Sequence, residues 1–149
     1  MKIATTIAVP VNASLTHACH LPPMTHSARR ARGQVAQARG MGAEAAARTA
    51  LERDGWTILA QRLRTAAGEI DIVADKDGLL AIVEVKSRPT LLEAATALTP
   101  RQQARLIAAC DILLIEHPDW GASGVRFDVL MVDAQGRVRR IADAFRLEG

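Results

Sequence analysis

Asp71 and Glu84 are the residues of this chain whose types and spacing best support joint chemistry. They lie in two apolar stretches, Gly68 to Lys76 and Leu79 to Lys86, joined by Asp77-Gly78. That dipeptide favours a two-residue type I′ hairpin, because both central positions need positive φ. With those two residues as the loop, opposed positions have numbers summing to 155. Asp71 then faces Glu84, and Glu69 faces Lys86. Side chains alternate along a strand, so all four charged groups are expected on one side of the ribbon. Two opposed carboxylates repel, and such a pair persists when it shares a proton or holds a cation. Lys86 lies beside this pair rather than between it. The pattern is that of a divalent-metal site with an attendant lysine.

The elements that must position these groups are also legible. Ile70, Ile72, Ala74, Ala81, Val83 and Val85 form the other, apolar face, which predicts a helix packed against it. Val73 faces Ile82 near the turn. A three-residue loop with a bulge would shift the pairing by one and separate the charges. Upstream, the alanine-rich Ala43 to Asp54 predicts a helix with Leu51 on its apolar face and Gly55 as its stop. Trp56 to Arg64 reads as a strand. Pro89 ends the hairpin's second strand, and residues 87–98 read as a loop. Thr99-Pro100 starts a second helix running to about Glu116, with Leu106, Ala109, Cys110, Leu113 and Leu114 at helical spacing. Strands are expected over Val125 to Val132 and Arg137 to Ile141. The order is αβββαββ.

Composition bounds the rest. At 149 residues and 49% hydrophobic content, the chain suits one globular domain with a real core. No apolar run reaches the 18–20 or so residues that span a membrane. Two cysteines, Cys19 and Cys110, give no disulfide framework and suit a reducing, cytoplasmic setting. The net charge of +3 is unevenly spread: residues 1–40 hold five basic residues and no acidic one. Beyond them, fourteen basic residues stand against sixteen acidic ones, a net of −2. Bulk charge therefore does not mark the body as nucleic-acid binding. A local basic rim could come from Arg62, Arg64, Arg88, Arg101, Arg105 and Arg126.

Residues 1–40 show no sustained period and read as a flexible basic extension, with residues 41–149 as the folded domain. Met24 and Met41 offer alternative starts. The apolar stretch Ile3 to Val11 is too short and too lightly charged for a good export signal. His17, Cys19, His20 and His26 lack a second ligand pair at zinc-finger spacing. No glycine-rich phosphate loop is present.

Taken together, Gly42-x-Glu44, Gly55-Trp56, Gly68-Glu69-Ile70-Asp71, Val83-Glu84-Val85-Lys86-x-Arg88, Arg126-Phe127-Asp128-Val129 and Ala144-Phe145 resemble the UPF0102 (YraN) family. Asp71 with Glu84-Val85-Lys86 also resembles the PD-(D/E)xK nuclease superfamily. The resemblance covers residues 42–146. It implies an α/β, restriction-endonuclease-like fold, a central mixed sheet flanked by helices. It also implies DNA or branched nucleic acid as partner, and allows a homodimer, since junction-cleaving relatives act in pairs. Asp71 and Glu84 would hold Mg²⁺ or Mn²⁺, with the Val85 carbonyl as third ligand. Lys86 would orient the attacking water or meet the scissile phosphate. Glu44 would reach in from the first helix, and Glu69 would hold the Lys86 ammonium. The sequence departs at Gln102, where such proteins often carry lysine within an Arg-Lys-x-x-Arg-Leu-like run.

A metal-dependent nuclease is the leading expectation. The alternatives are a non-catalytic nucleic-acid-binding protein, motivated by Gln102 and the acidic body, and an interaction module using the tail and a sheet edge. Arg126 and Asp128 suit a fold-stabilising pair as well as a nucleic-acid contact. Trp56 and Phe127 read as core rather than stacking platforms.

Overall fold

The computed structural model describes residues 42–88 and 98–146. The expected N-terminal extension, its histidine cluster and most of the loop after Ser87 lie outside the described residues.

Residues 42–53 form helix α1. Ala43, Ala47 and Leu51 recur every four residues and bury one stripe of it. Gly55 ends the helix at φ +87°. The Gly55 N–H donates to the Glu52 carbonyl, and the Trp56 N–H to that of Leu51. This is a Schellman stop, which folds Trp56 back onto Leu51 and launches the first strand.

Strands β1 (Thr57–Thr65), β2 (Gly68–Lys76) and β3 (Leu79–Ser87) follow as an antiparallel run. Helix α2 (Pro100–Glu116) then crosses to β4 (Gly124–Val132), which lies parallel to β3, and β5 (Val138–Phe145) pairs antiparallel with β4. The result is one mixed five-stranded sheet in the order β1-β2-β3-β4-β5. Together with the two helices, it has the expected αβββαββ order. Among the described residues no helix is long and apolar enough to cross a membrane.

The helices cover opposite faces. α1 packs on Ile72, Ala74, Ala81, Val83 and Leu130. α2 lays Leu106, Ala109, Cys110 and Leu113 on Ile70, Val73, Leu80, Ile82 and Phe127. Residues 80–84 of β3 are buried without interruption, as a strand covered on both sides must be. Trp56 and Phe127 are core residues, as expected.

The hairpin turn holds as read. Asp77 and Gly78 have φ of +55° and +84°, and Ile72 to Lys76 pair with Val83 to Leu79 in the register that sums to 155. The register is not carried further. In-register pairing of β2 with β3 ends at Ile72–Val83, and the Val85 N–H donates instead to the Asp71 carboxylate at 2.8 Å. On the other side of Asp71, Arg62 of β1 sits at φ +49°, between the paired positions Gln61–Ile72 and Leu63–Ile70. The side-chain alternation breaks at Asp71. Ile70 joins the α2-side core, not the α1-side face expected of it with Ile72 and Ala74.

Candidate metal and nucleic-acid site

The broken ladder opens β2 from β3 at their acidic end. There the Asp71 side chain replaces a backbone acceptor. Its carboxyl is pushed up to about 7, first by burial, then by repulsion from Glu84, and only partly offset by the Val85 N–H. Glu44 and Glu69 add smaller repulsions.

Glu84, next to Asp71's backbone partner Val85, is 7% exposed. Its Oε1 meets Lys86 Nζ at 3.4 Å and accepts from Arg105 Nη2 at 3.3 Å. Its Oε2 is buried with no hydrogen-bond partner among the described residues. An unmet buried carboxylate oxygen costs more than 1 kcal/mol or so, and so signals a missing partner.

Arg105 is the side chain that binds this end of the protein together. Its Nη1 donates to the Glu69 carbonyl at 3.0 Å while Nη2 holds Glu84. Its stem crosses Gly68, where an added Cβ would lie 2.9 Å from Cγ and Cδ and φ is +141°. One residue of α2 thus ties the helix to β2 and β3. Sequence reasoning placed Arg105 on a nucleic-acid rim. Its link to Glu84 depends on how α2 docks, which no local pattern encodes.

Two charge pairings differ from expectation. Glu69 does not meet Lys86. Its ladder partner is Arg64 on β1, and their side chains approach to 3.6 Å. Lys86 turns to Glu84 instead. Both follow from the register ending at Ile72–Val83, so that Glu69 and Lys86 are never set opposite. For the same reason Asp71 and Glu84 interact as neighbouring acids rather than as a ladder pair.

Glu44 accepts from Arg62 Nε at 2.7 Å and is 19% exposed, so the unusual Arg62 backbone aims its guanidinium at α1. Arg64 is 89% exposed, Arg101 is exposed, and Arg88 lies at the end of β3 with Nη1 on the Ser87 carbonyl. Gln102 is occupied elsewhere. Its Oε1 accepts from the Thr99 N–H while its own N–H donates to Thr99 Oγ1, a capping box at the start of α2.

Among the described residues no three His, Cys, Asp or Glu side chains form a metal-holding group. The donor set at this end is two carboxylates, those of Asp71 and Glu84. It fits a hard ion that keeps several waters, such as Mg²⁺, and not a structural zinc. The orphaned Glu84 oxygen and the raised Asp71 carboxyl are both relieved by positive charge.

A second buried acid has a different setting. Asp128 accepts from Arg126 Nε and Nη2 at 2.9 and 3.0 Å, from Arg140 Nε at 2.8 Å, from Arg140 Nη2, and from the Asp143 N–H at 2.9 Å. Both guanidinium groups lie over the Trp56 ring, at 5.2 and 4.5 Å from its centre. Arg126 and Asp128 therefore form a fold-stabilising unit, with Arg140 a partner that the sequence reading did not name. Elsewhere, a cleft of about 560 Å³ between α2 and the start of β4 is lined by Ile107, Leu114, Val125, Asp143 and Phe145, and by none of Glu44, Glu69, Asp71, Glu84 or Asp128. Burial pushes the Cys110 thiol beside it up to about 11, so it stays protonated and unreactive.

The profile described as "Uncharacterised protein family UPF0102" matches residues 43–132. The chain belongs to the UPF0102 family. It is 62% identical over 123 residues to a UPF0102 protein of Granulibacter bethesdensis, covering 83% of this chain and 78% of that one. It is 44% identical over 128 residues to one of Azorhizobium caulinodans, covering 86% and 98%, and 43% identical over 120 residues to one of Acidiphilium cryptum, covering 80% and 93%. The UPF0102 match contains Glu44, Asp71, Glu84, Lys86 and Arg105, so both carboxylates and both cations of Glu84 lie within the family's shared region.

Proposed function

We propose that this UPF0102 chain is a metal-dependent nuclease with a restriction-endonuclease-like fold of the PD-(D/E)xK superfamily. It would hydrolyse phosphodiester bonds in DNA or branched nucleic acid in the cytoplasm. The observation that carries the reading is the buried, half-satisfied Glu84 next to a destabilised Asp71, with Lys86 on the same carboxylate.

In this reading Asp71, Glu84 and the Val85 carbonyl hold Mg²⁺ or Mn²⁺. A bound divalent ion would supply Lewis-acid activation of water and counter-charge for the developing oxyanion. Asp71 is kept in place by the Val85 N–H on one oxygen, and its second oxygen has no hydrogen bond among the described residues. Lys86, 13% exposed, is near enough to water to meet a phosphate or hold a proton-transfer partner. Glu44, fixed by Arg62, lends negative charge to Asp71 rather than a direct ligand. Arg64, Arg88 and Arg101, from the expected basic rim, would meet a phosphate backbone.

The test is divalent-dependent cleavage of junction, flap, single-stranded and duplex DNA, with Asp71→Ala as control. Cleavage by the wild type that falls about a thousandfold in the variant supports the reading. No cleavage of any substrate, or equal cleavage by both proteins, overturns it.

One observation favours a second reading, a nucleic-acid-binding protein without turnover. Glu84 Oε1 already has two cations, which compete with a metal. That reading requires affinity that falls steeply with salt and no product.

A further inference from the structure

Arg105 and Lys86 meet the same oxygen of Glu84, yet they are not equivalent. Lys86 neighbours Glu84 on β3 and its ammonium is joined to a flexible stem. Arg105 comes from a different element, is seated on the bare backbone of Gly68, and is fixed at a second point by the Glu69 carbonyl. A guanidinium held at two separate acceptors is far harder to displace than an ammonium held at one. It places a permanent positive charge against the carboxylate that the proposed metal would share. Like charges on one ligand oppose each other, and little water intervenes at a 9% exposed side chain.

We propose that Arg105 is a resident counter-cation for Glu84, standing in for a divalent ion in the metal-free protein and lowering the site's affinity for that ion. The inference rests on the metal reading above and sets its regulation. Arg105 stabilises the metal-free site, where Glu84 would otherwise face Asp71 with only Lys86 to balance its charge. The same contact must be weakened before an ion gains both Glu84 oxygens. Metal loading is thereby opposed by α2. Arg105 touches neither substrate nor reacting atoms here; it acts through Glu84 as a positioning residue.

The test uses the full chain without nucleic acid and reads Mn²⁺ binding by titration calorimetry. Arg105→Met and Arg105→Gln remove the charge, and the glutamine keeps an N–H for the Glu69 carbonyl should the methionine variant fold poorly. Arg105→Lys keeps the charge. The expected result is about tenfold tighter Mn²⁺ binding in the uncharged variants that fold, with the lysine variant within threefold of wild type. A merely structural role for Arg105 predicts the opposite sign, because a loosened Glu84 binds metal less well. Equal or weaker binding in the uncharged variants overturns the proposal while leaving the metal site intact. Absence of binding in every variant and in the wild type removes the metal reading itself, and the proposal with it.

Discussion

Two buried acids of one sheet are treated in opposite ways. Asp128 on β4 is 1% exposed and accepts from two arginines and a backbone N–H, with the arginines stacked on Trp56. Glu84 on β3 is almost as buried and has one oxygen without a partner among the described residues, while its neighbour Asp71 is pushed up to about 7. A buried charge is tolerated when its hydrogen-bonding capacity is met and costs stability when it is not. The Asp128 cluster therefore belongs to the fold's own stability. The Asp71–Glu84 pair is stability withheld, as sites that bind a charged ligand commonly show. That contrast, not the mere presence of acids, separates the candidate site from the scaffold.

The largest expected effect breaks the contrast from the scaffold side. Asp128→Ala leaves two guanidinium groups facing each other over Trp56 and an unmet Asp143 N–H. It should cost about 3–5 kcal/mol, the usual loss when one partner of a buried ion pair is removed. Urea denaturation followed by far-ultraviolet circular dichroism measures it. A loss under about 1 kcal/mol would place Asp128 outside the scaffold and undo the comparison.

The site side predicts the opposite sign. The folded protein takes up the Asp71 proton at about 7, against 3.8 for an ordinary aspartate. Between those values the folded state binds more protons than the unfolded chain, so stability falls as pH rises through the window, and the deficit is complete above pH 7. Asp71→Asn removes the charge and keeps an oxygen for the Val85 N–H. It should stabilise the protein by about 1–3 kcal/mol at pH 8 and leave it unchanged at pH 4. Three pKa units would give about 4 kcal/mol, and partial exposure reduces that. Thermal melts of both proteins at the two pH values decide it. Equal stability at pH 8 would mean that Asp71 carries no stored repulsion.

How much of this was readable in the chain follows from the range of each interaction. The helix stop at Gly55, the Asp77-Gly78 turn and the Thr99-Pro100 helix start depend on adjacent residues, and all three stand where local chemistry puts them. The register near the turn followed from the loop. The register at Asp71 did not, because it is broken by a contact between Asp71 and Val85 and by the backbone of Arg62 on another strand. Consequently the sequence brings Asp71, Glu84 and Lys86 to one end of the hairpin, where the structure also groups them, but it pairs Glu69 with a cation that it does not meet. Arg105 shows the same limit. Its residue type announced a positive charge, while its place against Glu84 came from tertiary docking of α2 over Gly68.

The smallest effect sharpens the comparison at its border. Gln102 lies one turn before Arg105 on α2, at the position where a lysine would suggest a further cation for the site. Its side chain instead closes the capping box with Thr99, which puts it on the scaffold's side of the division. Gln102→Lys removes the acceptor for the Thr99 N–H but leaves the Thr99 hydroxyl on the helix's third N–H. Only half of the box is lost, so the cost should be about 0.5 kcal/mol, the low end for capping changes. Mn²⁺ affinity should stay within twofold of wild type, since the new ammonium has no acid of the pair assigned to it. Calorimetric titration next to the Arg105 variants makes the distinction direct. Weakened Mn²⁺ binding in Gln102→Lys would mean that a charge at position 102 reaches Glu84 or Asp71. The site's boundary would then lie one turn closer to the start of α2 than the contacts of Gln102 indicate.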